Sequence, residues 1–186
     1  MADHALATER LDLLPVAQAD LPWLLAEMNT PEVMRHLGGP RSKQAVEESL
    51  AADIAAWADK SYMRWTIWHR ETQCRVGRIG LFNVRATAAP EHLRGQREIG
   101  WSLASSHTGK GYATEAARAA LAHAFDRLGN EVVYAQTSDN NAGSSRLMAR
   151  LGLSRASEFD YDDPEYEPAE NPTRVYRITR AQWSSL

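Results

Sequence analysis

Along residues 112–130 small and large apolar side chains recur every three to four positions: Ala113, Ala116, Ala117, Ala120, Leu121, Ala124, Phe125 and Leu128. That spacing predicts a long helix with one face in a core, stopped by Gly129-Asn130. A second stripe, Val46, Leu50, Ile54 and Trp57, follows Ser42, which can cap the helix. Asp20 reads likewise as an N-cap, for a helix through Met28. Pro31 opens a short helix carrying Val33, Met34 and Leu37, and Gly38-Gly39-Pro40 ends it. Ala142 to Leu151 form a last short helix, closed by Gly152. Strand patterns fall at Glu9–Leu14, Tyr62–His69, Arg75–Val84, Gln96–Leu103, Glu131–Thr137, Leu153–Tyr161 and Arg174–Thr179. Arg85 to Gly95 read as a polar loop. The order, β–α–α–α and then β-β-β-α-β-α-β-β, predicts an α/β chain with a mixed sheet and helices packed on it.

Composition narrows this picture. The chain has 186 residues, 44% hydrophobic and 24% charged, which suits one domain. No repeat or low-complexity linker divides it, so 8–186 is expected as a single domain and 1–7 as a tail. No apolar run can span a bilayer, and Met1-Ala2-Asp3-His4 lacks the basic start and apolar core of a secretion signal. A cytoplasmic protein without a membrane partner is expected. The one cysteine, Cys74, excludes an intramolecular disulfide framework and any Cys-rich zinc module. The six histidines show no paired metal-ligand spacing, so no metal is expected. A net charge of −3 argues against a general nucleic-acid binder.

The informative stretch joins a strand, Glu98-Ile-Gly-Trp101-Ser102-Leu103, to a helix through Thr108-Gly109-Lys110-Gly111. Glycines tolerate positive φ and allow close approach to the backbone. The unpaired N–H groups of the helix start favour a phosphate. Two phosphate loops fail by register. A P-loop would need glycine where Ala104 stands and Ser or Thr where Gly111 stands. A dinucleotide fingerprint begun at Gly109 would need a third glycine at Thr114, which weighs against a nicotinamide-dependent oxidoreductase.

Downstream lies Asn140-Asn141-Ala-Gly-Ser144-Ser-Arg146-Leu-Met-Ala-Arg150-Leu-Gly152. With the glycine turn it resembles the GCN5-related N-acetyltransferase (GNAT) superfamily. Thr108-Gly109-Lys110-Gly111-Tyr112-Ala113 stands in the frame of its Gln/Arg-x-x-Gly-x-Gly/Ala turn, with threonine in the first place. Asn141, Ser144, Arg146 and Leu147 stand in its Asn-x-x-Ser-x-Arg/Lys-Leu pattern. Thr8-Glu9-Arg10-Leu11, Pro31 to Pro40 and Gly111 to Ala116 are similar to the Rim-type ribosomal-protein-alanine N-acetyltransferase branch. The resemblance runs from about Thr8 to Thr179.

It implies a mostly antiparallel mixed sheet flanked by helices, with central strands splayed apart. It also implies acetyl-CoA as co-substrate and direct transfer of acetyl to a primary amine, on a small molecule or a protein N-terminus. The pyrophosphate would sit on the amides from Gly109 to Ala113. Pantetheine would run along Trp101, Ser102 and Leu103, with Asn141 and Ser144 beside it. The Leu103 N–H would meet the thioester oxygen, a donor typically worth about 3 kcal/mol. Glu98 is the candidate base; the other reading makes it an exposed carboxylate paired with an arginine. Ala142–Leu151 holds no tyrosine, so no acid is assigned for the leaving thiolate. A homodimer is common among such relatives, and a non-catalytic acyl-CoA-binding module is the alternative function. Asp160 to Glu170 hold six acids and no base. They read either as a solvated loop or as a rim for a cationic amine.

Overall fold

The computed structural model describes residues 5–57 and 63–186. Its strands are β1 (Leu6–Ala7), β2 (Leu11–Pro15), β3 (Met63–His69), β4 (Cys74–Asn83), β5 (Arg97–Leu103), β6 (Val132–Thr137), β7 (Ser154–Arg155) and β8 (Arg174–Thr179). The helices are α1 (Leu21–Trp23), α2 (Pro31–Met34), α3 (Lys43–Ala56), α4 (Tyr112–Ala122), α5 (Ala142–Arg150) and α6 (Arg180–Trp183). One sheet runs in the order β1-β2-β3-β4-β5-β6-β8-β7. Neighbours are antiparallel except β5 beside β6, which is parallel. That junction needs a crossover, and α4 provides it.

The alanine stripe explains why α4 lies close to the sheet. Ala116, Ala117, Ala120 and Leu121 are fully buried in one core with Leu11, Ile67, Val76 and Val133. Phe125, in the π turn His123–Arg127 that continues α4, is 1% exposed and stacks on Trp183. Burying a side chain of that size is worth about 1.5–3 kcal/mol. Arg180 Nη2 donates to the carbonyls of Phe125 (2.6 Å) and Asn130 (2.9 Å), a cation at the negative end of the helix. Ser42 Oγ accepts from Ala45 N at 3.2 Å, so the expected cap of α3 is present. Thr30 Oγ1 accepts from Val33 N at 3.3 Å and caps α2, with Pro31 in its first turn.

Several expectations are corrected. Asp20 precedes α1 but its side chain makes no capping hydrogen bond to that helix. It is 3% exposed, and it accepts from Ala17 N (3.0 Å), Thr66 Oγ1 (2.6 Å) and Arg75 Nε (2.8 Å). Buried among donors, the carboxylate ties the chain before α1 to β3 and β4. The predicted strand Leu153–Tyr161 shrinks to β7, followed by a 3-10 turn at Ser157–Phe159 and a lone bridge from Tyr161 to Thr173. The Asp160 carboxylate takes the Val175 N–H (2.9 Å) that a longer strand would have used. Residues 85–95 are irregular but not wholly polar, because Leu93 (0% exposed) and Ala89 (3%) anchor a second core with Tyr134 and Val175. Leu6–Ala7, within the stretch expected as a tail, pair with Leu13 and Asp12. Trp65 is buried against Trp57, and Trp68 packs under the Arg75 guanidinium. Tyr62 and residues 1–4 lie outside the described residues.

Candidate active site

β5 pairs with β4 from Gly77–Leu103 to Asn83–Arg97, but with β6 only at Glu98–Tyr134. Beyond that point the two strands part. Ala104 N donates to Val76 O (3.1 Å), which fixes the alternation of the β4–β5 ladder. In that register Ser102 and Gly100 turn their N–H groups to β4, so Trp101 and Leu103 turn theirs toward the gap. A cavity of about 820 Å³ occupies the gap. Both faces of β5 line it: Glu98, Gly100 and Ser102 from one, Ile99, Trp101 and Leu103 from the other. The cavity therefore passes through the sheet.

One end of the cavity opens on the turn into α4. Gly109 (φ 75°) and Gly111 (φ 83°) both occupy the left-handed region. A methyl at Gly109 would meet no atom within 4 Å; at Gly111 it would stand 3.3 Å from Arg10 Nη2. Arg10 also binds Glu115 in the first turn of α4 (Nε–Oε2 2.7 Å) and the Lys110 carbonyl (3.2 Å). The turn is thus pinned from behind and open in front. Thr108, Ala113 and Thr114 line the cavity there, and Asn141, Ser144, Arg146 and Arg150 face them from the α5 side. Asn141 Oδ1 accepts from Ser144 N at 3.1 Å and caps α5.

The other end is acidic and aromatic. Gln136 donates its carboxamide N–H to Glu98 Oε2, and its oxygen accepts from the Tyr161 hydroxyl at 2.7 Å. Burial pushes the Glu98 carboxyl up to about 7, with the Gln136 hydrogen bond and the Arg64 charge pulling weakly the other way. Burial, together with the nearby carboxylates Asp163 and Glu98, raises the Tyr161 phenol, which stays protonated. Glu170 receives hydrogen bonds from Ser138 Oγ and from His36 Nδ1 (3.0 Å). Burial alone would raise its carboxyl, but the two bonds hold it below the usual value. They also strap the 160–171 segment to the residue that follows β6 and to the turn after α2.

The pattern of the acetyltransferase (GNAT) domain matches residues 10–154. The chain belongs to that acetyltransferase family. The FsC-acetyl coenzyme A-N(2)-transacetylase of Aspergillus fumigatus is 30% identical over 98% of this chain and 79% of its own length. The uncharacterized N-acetyltransferase YoaA of Bacillus subtilis is 27% identical over 81% of this chain and 82% of its own. The crystal structure of an acetyltransferase from Agrobacterium tumefaciens superposes with a TM-score of 0.79, at 29% identity over 97% of this chain and 96% of that one.

In this GNAT acetyltransferase the expected residues Glu98, Trp101, Ser102, Leu103, Thr108, Gly109, Gly111, Ala113, Asn141 and Ser144 all line one cavity. Lys110 and Tyr112 do not. Tyr112 turns its ring to Arg10, His69 and His107, so only its backbone remains near the turn. Sequence reasoning missed His36, Gln136, Ser138 and Tyr161. The acidic stretch also divides into parts. Asp160 is bound by Arg155 (2.5 Å) and Arg174 (3.0 Å), Glu170 by the strap, and Asp163 lines the cavity. Among the described residues no three His, Cys, Asp or Glu side chains group to hold a metal, and no helix is long and apolar enough to cross a membrane.

Proposed function

We propose that this acetyltransferase moves acetyl from acetyl-CoA to a primary amine by direct attack on the thioester. The observation that carries the reading is the single Glu98–Tyr134 pairing between β5 and β6, which leaves the Trp101 and Leu103 amides facing an open seam. Acetyl-CoA supplies the activated acyl group. The amides of the Gly109–Ala113 turn would hold its diphosphate, since two left-handed glycines and the start of α4 present N–H groups outward. The Trp101 and Leu103 edges would align the pantetheine as an added strand. Leu103 N–H would stabilise the charge developing on the thioester oxygen.

Glu98 would take a proton from the acceptor ammonium, directly or through a water, and so free the amine that attacks. A carboxyl raised to about 7 is matched to that task near neutral pH, being part ionised and still basic. The amine forms the C–N bond, the C–S bond breaks, and the thiolate that leaves with the pair takes up the second nitrogen proton, directly or through water, to give the free thiol and the neutral amide. The Rim-type kinship is a finer reading, supported by Thr8–Leu11, Pro31–Pro40 and Gly111–Ala116.

The test is incubation with acetyl-CoA and a panel of primary amines while free thiol is followed. Thiol released only when an amine is present is the expected result. Tight coenzyme binding without release for every amine would leave the acyl-CoA-binding module in its place.

A further inference from the structure

We propose that Asp163 seats a second positive charge on the acceptor, so that the preferred substrate is a small diamine. The inference deepens the acetyl-transfer reading and rests on it for the role of Glu98.

Asp163 is 6% exposed, yet it lines the same cavity as Glu98. Its Oδ1 accepts only the Glu165 N–H at 3.0 Å. Among the described residues its Oδ2 has no hydrogen-bond partner, and the side chain makes no ion pair. Of the cations that line the same cavity, Arg64 and Arg78 pair with Asp53 and His36 with Glu170, and none of them pairs with Asp163. Unpartnered but not sealed from solvent, Oδ2 opens on the cavity, where a cationic group can reach it.

The position is built. Asn171 Oδ1 accepts the Asp163 N–H (2.8 Å), and its Nδ2 donates to the Asp163 (3.0 Å) and Tyr166 (3.3 Å) carbonyls. Tyr161 and Tyr166 line the cavity between the two acids. The charges of Asp163 and Glu98 both reach those phenols and help burial keep them neutral. Neutral aromatic rings beside a carboxyl group suit an ammonium group. One amine can then lie at Glu98 to react while the other stays charged at Asp163.

The experiment compares 1,4-diaminobutane with n-butylamine, following thiol release and, separately, calorimetric binding to the CoA-saturated protein. The diamine should show at least tenfold higher kcat/KM and measurable heat. Asp163→Asn keeps an acceptor for the Glu165 N–H. It should raise the diamine KM at least tenfold and the butylamine KM by a much smaller factor. Transfer to butylamine with no diamine preference sinks the inference and spares the acetyl-transfer reading. Equal effects of Asp163→Asn on both amines, or faster acetylation of a peptide N-terminus lacking basic side chains, would overturn it in the same way. Selective diamine binding without transfer to any amine sinks the acetyl-transfer reading and keeps Asp163 as a diamine site.

Discussion

The Gln136 carboxamide donates to Glu98 Oε2 while its own oxygen accepts from Tyr161 at 2.7 Å. An ionised carboxylate can only accept, so Glu98 fixes the amide N–H on itself and leaves the amide oxygen for the phenol proton. That bond favours ionised Glu98 against the larger effect of burial. Gln136→Met should therefore move the Glu98 carboxyl above about 7. The ascending, acid-side limb of kcat/KM would shift to higher pH, with activity lost at pH 7 and largely recovered at pH 9. Tyr161→Phe should shift it the same way, by less. A pH profile unchanged in both variants would detach Gln136 from the base.

Glu98→Gln should lower kcat by 10²–10⁴, the usual range for a general base, with little change in acetyl-CoA affinity. The residual activity should show no limb near pH 7. The same substitution has a signature in stability. The Glu98 carboxyl is raised on folding from 4.5 to about 7, so the folded chain holds a proton that the unfolded chain releases. Its contribution is complete below pH 4.5 and is lost as pH rises through about 7, amounting to about 3 kcal/mol at most. Glu98→Gln should abolish that part of the fall in stability between pH 5 and pH 8, read from urea midpoints at the two pH values.

The cavity was half legible in the sequence. Glu98, Trp101 and Leu103 lie on a strand whose alternation is plain, and Gly109 and Gly111 punctuate its end, so local pattern placed them. Gln136 sits on an equally plain strand, but nothing local marks one glutamine as facing a carboxylate. Asp163 and Glu170 were visible only as two acids among six. What separates them is the path of the 160–171 segment, fixed by Asn171 within it and by His36 and Ser138 from far along the chain. A two-residue strand such as Leu6–Ala7 has no period to read. Asp20 showed the opposite failing: its type and place matched a cap, and tertiary donors claimed it instead.

Asp20→Ala should accordingly cost far more than a lost cap, which is worth about 1 kcal/mol. Removing this 3%-exposed carboxylate leaves Arg75 and the buried Thr66 hydroxyl without their acceptor. A loss of about 3–5 kcal/mol is expected, by analogy with breaking other buried pairs. Urea denaturation measures it, and a loss near 1 kcal/mol would return Asp20 to the role of a simple cap.

Gly109→Ala and Gly111→Ala should separate backbone strain from contact. Both positions have positive φ, so each alanine costs about 1–2 kcal/mol in conformation. Only at Gly111 does the new methyl reach Arg10, 3.3 Å away. That guanidinium holds Glu115 and the Lys110 carbonyl, so Gly111→Ala also loosens the support behind the turn. Both variants should raise the acetyl-CoA KM, because re-aimed amides no longer converge on one diphosphate. Gly111→Ala should do so by the larger factor, and Arg10→Met, which removes the support without adding strain, should reproduce the excess. Equal acetyl-CoA KM values in all three variants and the unmodified protein would show that the turn does not hold the coenzyme.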